Sequence, residues 1–168
     1  MENSVFIGLG SNQGEMIKNC NQAIEEILKL DGCSLIAKSS WYYTQPWGKE
    51  DQDWFVNGVI QIRTHLNPHE LLLKLKEIES QLGRKYISRW GPRSIDADIL
   101  FYGHLQFKSS DLEIPHPRIH QRKFVLIPMA EIAPHFIHPV FHKTIVELLN
   151  NVSDSKKVIR VIKGIYIR

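Results

Sequence analysis

Two apolar stripes of helical period, each enclosed by extended apolar segments, limit what this chain can fold into. The first stripe is Ile17, Cys20, Ala23, Ile24, Ile27 and Leu28, with the three- and four-residue spacing that puts side chains on one helix face. The second is Leu72, Leu75, Ile78 and Leu82. Asn67 stands before it as an N-cap, with Pro68 at the first helical position and Glu70 at N3, so side chains can satisfy backbone donors that the helix leaves unpaired. Asp31-Gly32 stops the first helix and Gly83 the second. Around them, Val5 to Gly8, Ser34 to Tyr43, Phe55 to Arg63 and Ile95 to Phe101 have the β-branched and aromatic content of strands.

The order β-α-β-β-α-β predicts an α+β fold, a ferredoxin-like split βαβ sandwich with added strands and helices. Among the additions, Gly103-His104 should turn the Ile95 strand into a hairpin with Leu105 to Phe107. Phe124 to Glu131 should form a short helix, and Thr144-Ile145-Val146-Glu147 is a capping-box signature for another. Val158 to Ile167 reads as a terminal strand pair. At 168 residues and 43% hydrophobic content, residues 1–168 suit a single domain with a core that needs no disulfide or metal staple.

The two cysteines, Cys20 and Cys33, form no CxxC pair, which suits a reducing compartment. No basic-then-apolar leader and no span-length apolar run occurs, so a cytoplasmic location is expected, with no membrane association. A net charge of +3 is too mild for non-specific nucleic-acid binding. No obligate protein partner is expected.

The richest local signal runs from Arg84 and Lys85 through Arg89, Trp90, Gly91, Pro92 and Arg93 to Asp96, Ala97 and Asp98. Gly91-Pro92 marks the basic stretch as a surface loop. Asp96 and Asp98 lie two apart on a strand, so both carboxylates project from one face. A hard divalent cation relieves their repulsion, and magnesium typically takes one or two carboxylates, leaving its other positions to water and phosphate oxygens. Guanidinium forks next to them suit polyphosphate. The plainer alternative is a solvated edge-strand face whose aspartates pair loosely with arginines.

Other patterns are weaker. Gly8, Gly10 and Gly14 follow a strand, but the spacing misses the dinucleotide fingerprint and no ribose-binding acid follows the next strand, so they read as a tight structural turn. His135, His138 and His142 are separated by Pro134 and Pro139 and read as surface histidines rather than zinc ligands. Trp41, Tyr42, Tyr43, Trp47, Trp54 and Phe55 suit core packing near strand ends.

These residues together resemble the 6-hydroxymethyl-7,8-dihydropterin pyrophosphokinase family of folate biosynthesis. The resemblance covers nearly the whole chain: Gly10-Ser11-Asn12, Ser39-Ser40-Trp41-Tyr42, Phe55-Val56-Asn57, the Arg89 to Asp98 run, and Ile114-Pro115-His116-Pro117-Arg118 leading to Arg122-Lys123-Phe124. It implies that the pterin hydroxymethyl oxygen attacks the β-phosphorus of ATP and AMP leaves. It further implies that Asp96 and Asp98 hold two Mg2+ ions, and that Arg93, His116 and Arg122 contact phosphates. Arg84, Lys85 and Arg89 would close over ATP from a mobile loop, and Trp90, which follows the loop, would also contact ATP. Asn57 and backbone groups near Thr44 would bind the pterin ring, with Trp47, Phe55, Trp90 and Phe124 as apolar walls. Asp96, Asp98, Arg93 and Arg122 would carry catalysis, and Glu79 is either a site-lining residue or ordinary helix surface.

Two rivals remain at this level. A γ-phosphoryl kinase acting on a related alcohol would use the same carboxylates and cations, because positioning alone chooses the phosphorus attacked. A ferredoxin-like RNA-binding module would stack bases on sheet aromatics, although no RNP1 pattern is present and paired aspartates oppose an RNA backbone.

Overall fold

The computed structural model describes residues 3–47, 51–83 and 94–162. Strand β1 (Asn3–Ser11) leads into helix α1 (Met16–Leu28), which buries the predicted stripe of Cys20, Ala23, Ile24 and Ile27. Gly32 ends this unit at a φ of +70°, a conformation that costs a residue without a β-carbon little. Strands β2 (Ser34–Lys38), β3 (Tyr42–Thr44) and β4 (Phe55–Thr64) follow, then α2 (Pro68–Gly83) and β5 (Asp96–Tyr102). The predicted cap of α2 is formed in both directions: Asn67 Oδ1 accepts from the Glu70 N–H at 2.9 Å, and Glu70 Oε1 accepts from the Asn67 N–H at 3.2 Å.

Strand order in the main sheet is β5-β1-β4-β3, with β2 also on β4, and every pair is antiparallel. This is the ferredoxin-like arrangement that the order of periodicities predicts. Where one strand was expected from Ser34 to Tyr43, there are two. The Ser39 hydroxyl accepts the Val59 N–H at 2.9 Å and donates to its neighbour's carbonyl at Ser40. A side chain thus replaces a ladder carbonyl, and the backbone bends before pairing with β4 again.

The segment after β5 departs from expectation. Gly103 does turn the chain, with the Leu105 N–H donating to the Tyr102 carbonyl at 3.0 Å, but no hairpin forms on β5. Instead β6 (Phe107–Lys108) pairs with β7 (Glu113–Ile114) in a separate small sheet. The outer edge of β5 is already engaged, because the Ala97 N–H donates to Glu79 and the Leu100 carbonyl accepts from His116. At the other end of the sheet, β8 (Val158–Arg160) pairs with β3. The rest of the expected tail pair, from residue 163 on, lies outside the described residues.

Helices α3 (Lys123–Ile132) and α4 (Ile145–Asn151) lie between β7 and β8 in the chain, α4 with the predicted Thr144/Glu147 capping box. Val5, Ile7 and Leu9 of β1 join the core under α1 and α2, whereas Phe6 faces α3 and α4, so helices cover both sheet faces. The alternation in β5 is broken. Ile7 is opposite Ile99 and Phe6 opposite Phe101, which makes Leu100 the extra residue of a β-bulge. Leu100 and Phe101 therefore both pack on the α3/α4 side, where simple alternation had put Phe101 with Ile99.

Candidate active site

On the α3/α4 face of the sheet, β1 presents Phe6, Gly8 and Gly10 in turn. Phe6 is buried beneath the helices, but beyond it the two glycines leave the strand bare. From the β5 side Asp98 is opposite Gly8 and Asp96 opposite Gly10, and from the β4 side Val59 and Asn57 take the corresponding places. The two carboxylates and the Asn57 amide thus border a glycine floor. Above it is a cavity of about 190 Å³ whose walls include Thr44, Trp47, Phe55, Phe124, His116 and Arg122.

The polar groups of this cavity are held in place. Asn57 Nδ2 donates to Thr44 Oγ1 at 2.6 Å, and Asn57 Oδ1 lies over Gly10. The guanidinium of Arg122 stacks on Trp47 at 4.9 Å and on Phe124 at 5.5 Å, while Arg118 meets the same Trp47 ring at 5.9 Å. Such cation–π contacts orient a guanidinium without using its N–H groups. Arg122 Nε is a buried donor with no hydrogen-bond partner among the described residues, a demand that a ligand oxygen can meet. His116 Nδ1 accepts the Arg118 N–H at 3.3 Å, so the neutral ring carries its proton on Nε2. Burial pushes the His116 pKa down; Asp98 opposes this, and Arg122 adds to it.

A second cavity, of about 490 Å³, opens on the other side of the same carboxylates. It lies along the outer edge of β5 and is bordered by Leu72, Lys76 and Glu79 of α2, by Ala97 and Ile99, and by Asp111 to Glu113. Asp96, Asp98 and His116 line both cavities. Sequence reasoning missed Gly8 and Gly10 as a floor and Leu72, Lys76, Asp111, Leu112 and Glu113 as walls. Glycine inside a strand was the available signal for the floor, since it often marks a close approach of another molecule.

Residues 6–134 match the family model described as 7,8-dihydro-6-hydroxymethylpterin-pyrophosphokinase. The chain belongs to this family. A Synechocystis protein named 2-amino-4-hydroxy-6-hydroxymethyldihydropteridine pyrophosphokinase is 41% identical over 146 residues, covering 87% of this chain and 74% of that protein. An Aquifex aeolicus protein of the same name is 41% identical over 147 residues, covering 86% and 89%. The fold resembles that of a crystal structure of Plasmodium falciparum HPPK-DHPS, wild type with STZ-DHP, with a TM-score of 0.71 at 16% identity. That likeness covers 89% of this chain but 43% of the solved one, so the present chain spans less than half of it.

For this member of the pyrophosphokinase family, the structure brings Thr44, Trp47, Phe55, Asn57, Asp96, Asp98, His116, Arg122 and Phe124 to one cavity. Arg84, Lys85, Arg89, Trp90 and Arg93 lie outside the described residues. The aromatics divide: Trp41, Tyr42 and Tyr43 are buried in the core, Trp54 stacks on Tyr43 at 5.0 Å, and Trp47 and Phe55 line the cavity. Of the three histidines expected at the surface, His135 and His142 are exposed, but His138 is 3% exposed. Its Nδ1 accepts the Val140 and Phe141 N–H groups, and its ring meets Phe101 edge-on at 5.4 Å.

The described residues contain no cluster of three or more histidine, cysteine or carboxylate side chains fit to hold a metal. Two hard carboxylate donors on one strand face do fit magnesium, which fills its remaining positions with water and substrate oxygens rather than requiring a full protein cage. No described helix is long and apolar enough to cross a membrane.

Proposed function

We propose that residues 1–168 form a single domain that transfers the pyrophosphoryl group of ATP to 6-hydroxymethyl-7,8-dihydropterin, giving AMP and the pterin diphosphate. The observation that carries this reading is the position of Asp96 and Asp98 between two cavities that both include them. One cavity is narrow, aromatic and fitted with the Asn57–Thr44 pair, which suits a flat heterocycle with amide-like edges. The other is larger and follows the outer edge of β5, where a nucleoside can lie with its phosphates directed toward the carboxylates.

In this reading the pterin hydroxymethyl oxygen forms a bond to the β-phosphorus. The bond from that phosphorus to the oxygen bridging it to the α-phosphorus breaks, AMP keeps that oxygen, and the hydroxyl proton is released. Two Mg2+ ions would be held by Asp96 and Asp98. When bound there, they would supply charge neutralisation for the triphosphate and the incoming hydroxyl. Arg122, with its unpartnered Nε, and His116, with its Nε2 proton, donate to phosphate oxygens. Stacking on Trp47 and Phe124 pre-positions the Arg122 guanidinium, so little reorganisation is needed as charge develops. Asn57 and Thr44 bind the pterin edge, and Trp47, Phe55 and Phe124 sandwich its ring. Arg84, Lys85, Arg89, Trp90 and Arg93 complete the ATP contacts.

The enzyme works in the cytoplasm on ATP and the pterin, with no nucleic acid, membrane or obligate protein partner. Both cysteines are free thiols, in keeping with a reducing compartment. An RNA-binding module would need an open sheet face, but Phe6 and Phe101 on that face are 2% and 0% exposed beneath α3 and α4. Phosphorus NMR of a reaction with ATP, Mg2+ and the pterin tests the proposal. AMP and pterin diphosphate in equal amounts are expected. ADP with a pterin monophosphate would instead establish a γ-phosphoryl kinase.

A further inference from the structure

Asp96 opens strand β5, and the segment it begins is held unevenly. On the β1 side its neighbours are Gly10 and Gly8, which offer ladder hydrogen bonds but no side chains to pack against the carboxylates. On the other side no strand follows among the described residues, where β5 ends the sheet. The Ala97 N–H, which belongs to the peptide linking Asp96 to Ala97, points outward there. An outward N–H on an end strand would ordinarily go to water, leaving that peptide free to rotate. Here Glu79 Oε2 reaches from α2 and accepts it at 2.9 Å. Glu79 also borders the larger cavity beside both aspartates.

We propose that Glu79 is a positioning residue for the metal-binding pair. By holding the peptide between Asp96 and Asp98 it keeps their carboxylates convergent, and it does so through reach and hydrogen bonding rather than through its charge. A rigid helix is a suitable anchor: α2 is fixed by its Asn67/Glu70 cap and by the buried Leu71, Leu75 and Ile78. The idea rests on the proposed function, because it assigns the aspartates to Mg2+.

Three variants separate reach from charge. Glu79→Gln keeps an oxygen at the same distance without the charge; Glu79→Asp keeps the charge but is one methylene short; Glu79→Ala has neither. Two measurements are made on each folded variant: Mn2+ affinity by electron paramagnetic resonance with a non-hydrolysable ATP analogue, and hydrogen exchange of the Ala97 amide by NMR. Positioning predicts that Asp and Ala weaken Mn2+ binding about tenfold and speed Ala97 exchange by a similar factor, while Gln stays within about threefold of wild type on both. If Asp resembles wild type and Gln resembles Ala, charge acts and positioning is wrong. Faster Ala97 exchange with unchanged Mn2+ affinity would make the bond purely structural. A wild-type protein that binds no Mn2+ overturns this inference. One that binds Mn2+ but releases no AMP overturns only the proposed reaction.

Discussion

The Asn57 amide oxygen lies within clashing distance of where a β-carbon on residue 10 would stand, and its amide nitrogen is fastened to Thr44 Oγ1 at 2.6 Å. Asn57 can therefore present its amide over the cavity floor only while residue 10 is glycine. Gly10→Ala should push the amide aside and break its bond to Thr44, weakening pterin binding at least about tenfold, or ~1.4 kcal/mol. Calorimetry with the pterin measures this. Undiminished affinity in a folded variant would remove Asn57 from the pterin site.

Asp96→Ala and Asp98→Ala should each lower turnover by at least about a hundredfold, because each removes a ligand from metal-borne charge stabilisation. Neither carboxylate belongs to the hydrophobic core, so melting temperatures should change little. Near-normal turnover at saturating Mg2+ in either variant would reduce the pair to strand surface.

Phe124 lies in the first turn of α3 beside Arg122 and faces the cavity rather than the deepest core. Phe124→Leu keeps an apolar wall but loses ring stacking, at a cost of about 0.5 to 1.5 kcal/mol in ligand affinity. A large drop in melting temperature with unchanged affinity for pterin and ATP would assign Phe124 to packing alone.

His138 should make stability pH-dependent. Burial, then the nearby His120 and His142, lower its pKa from 6.5 to about 4 in the folded protein. Between these values the unfolded chain binds the extra proton, so the contribution is full above the unfolded value and disappears as pH falls toward about 4. His138→Asn retains an acceptor for the 140–141 backbone and does not titrate there. Its melting temperature should therefore fall less than that of wild type on acidification from about pH 7 to about pH 4. Parallel losses in both proteins would show that His138 is not the titrating group.

The helix stripes, the two capping boxes and the Asp96/Asp98 face were legible because each depends on residues within one element. A 3.6-residue period, an Asn-x-x-Glu or Thr-x-x-Glu spacing, and a two-residue strand repeat are local properties of a backbone. The aromatics could not be sorted this way. Trp41 and Trp47 have the same chemistry and lie six residues apart, yet one packs over Gly58 and the other stacks on Arg122. Their difference arises from which strand or loop lies opposite.

From its sequence alone, this chain is committed to the order of its helices and strands, to the turns at their ends, and to a pair of carboxylates on one strand face. Tertiary structure decided the rest, because the remaining features need partners distant in the chain. The Leu100 bulge is a mismatch between two strands, and it turns Phe101 to the α3/α4 side. His138 is buried because Phe101 and Phe141 close on its ring. The bare floor of Gly8 and Gly10 becomes a site only when β5 brings Asp96 and Asp98 alongside it and β4 brings Asn57. No local period encodes a cavity, since its walls come from segments that meet only when the sheet closes.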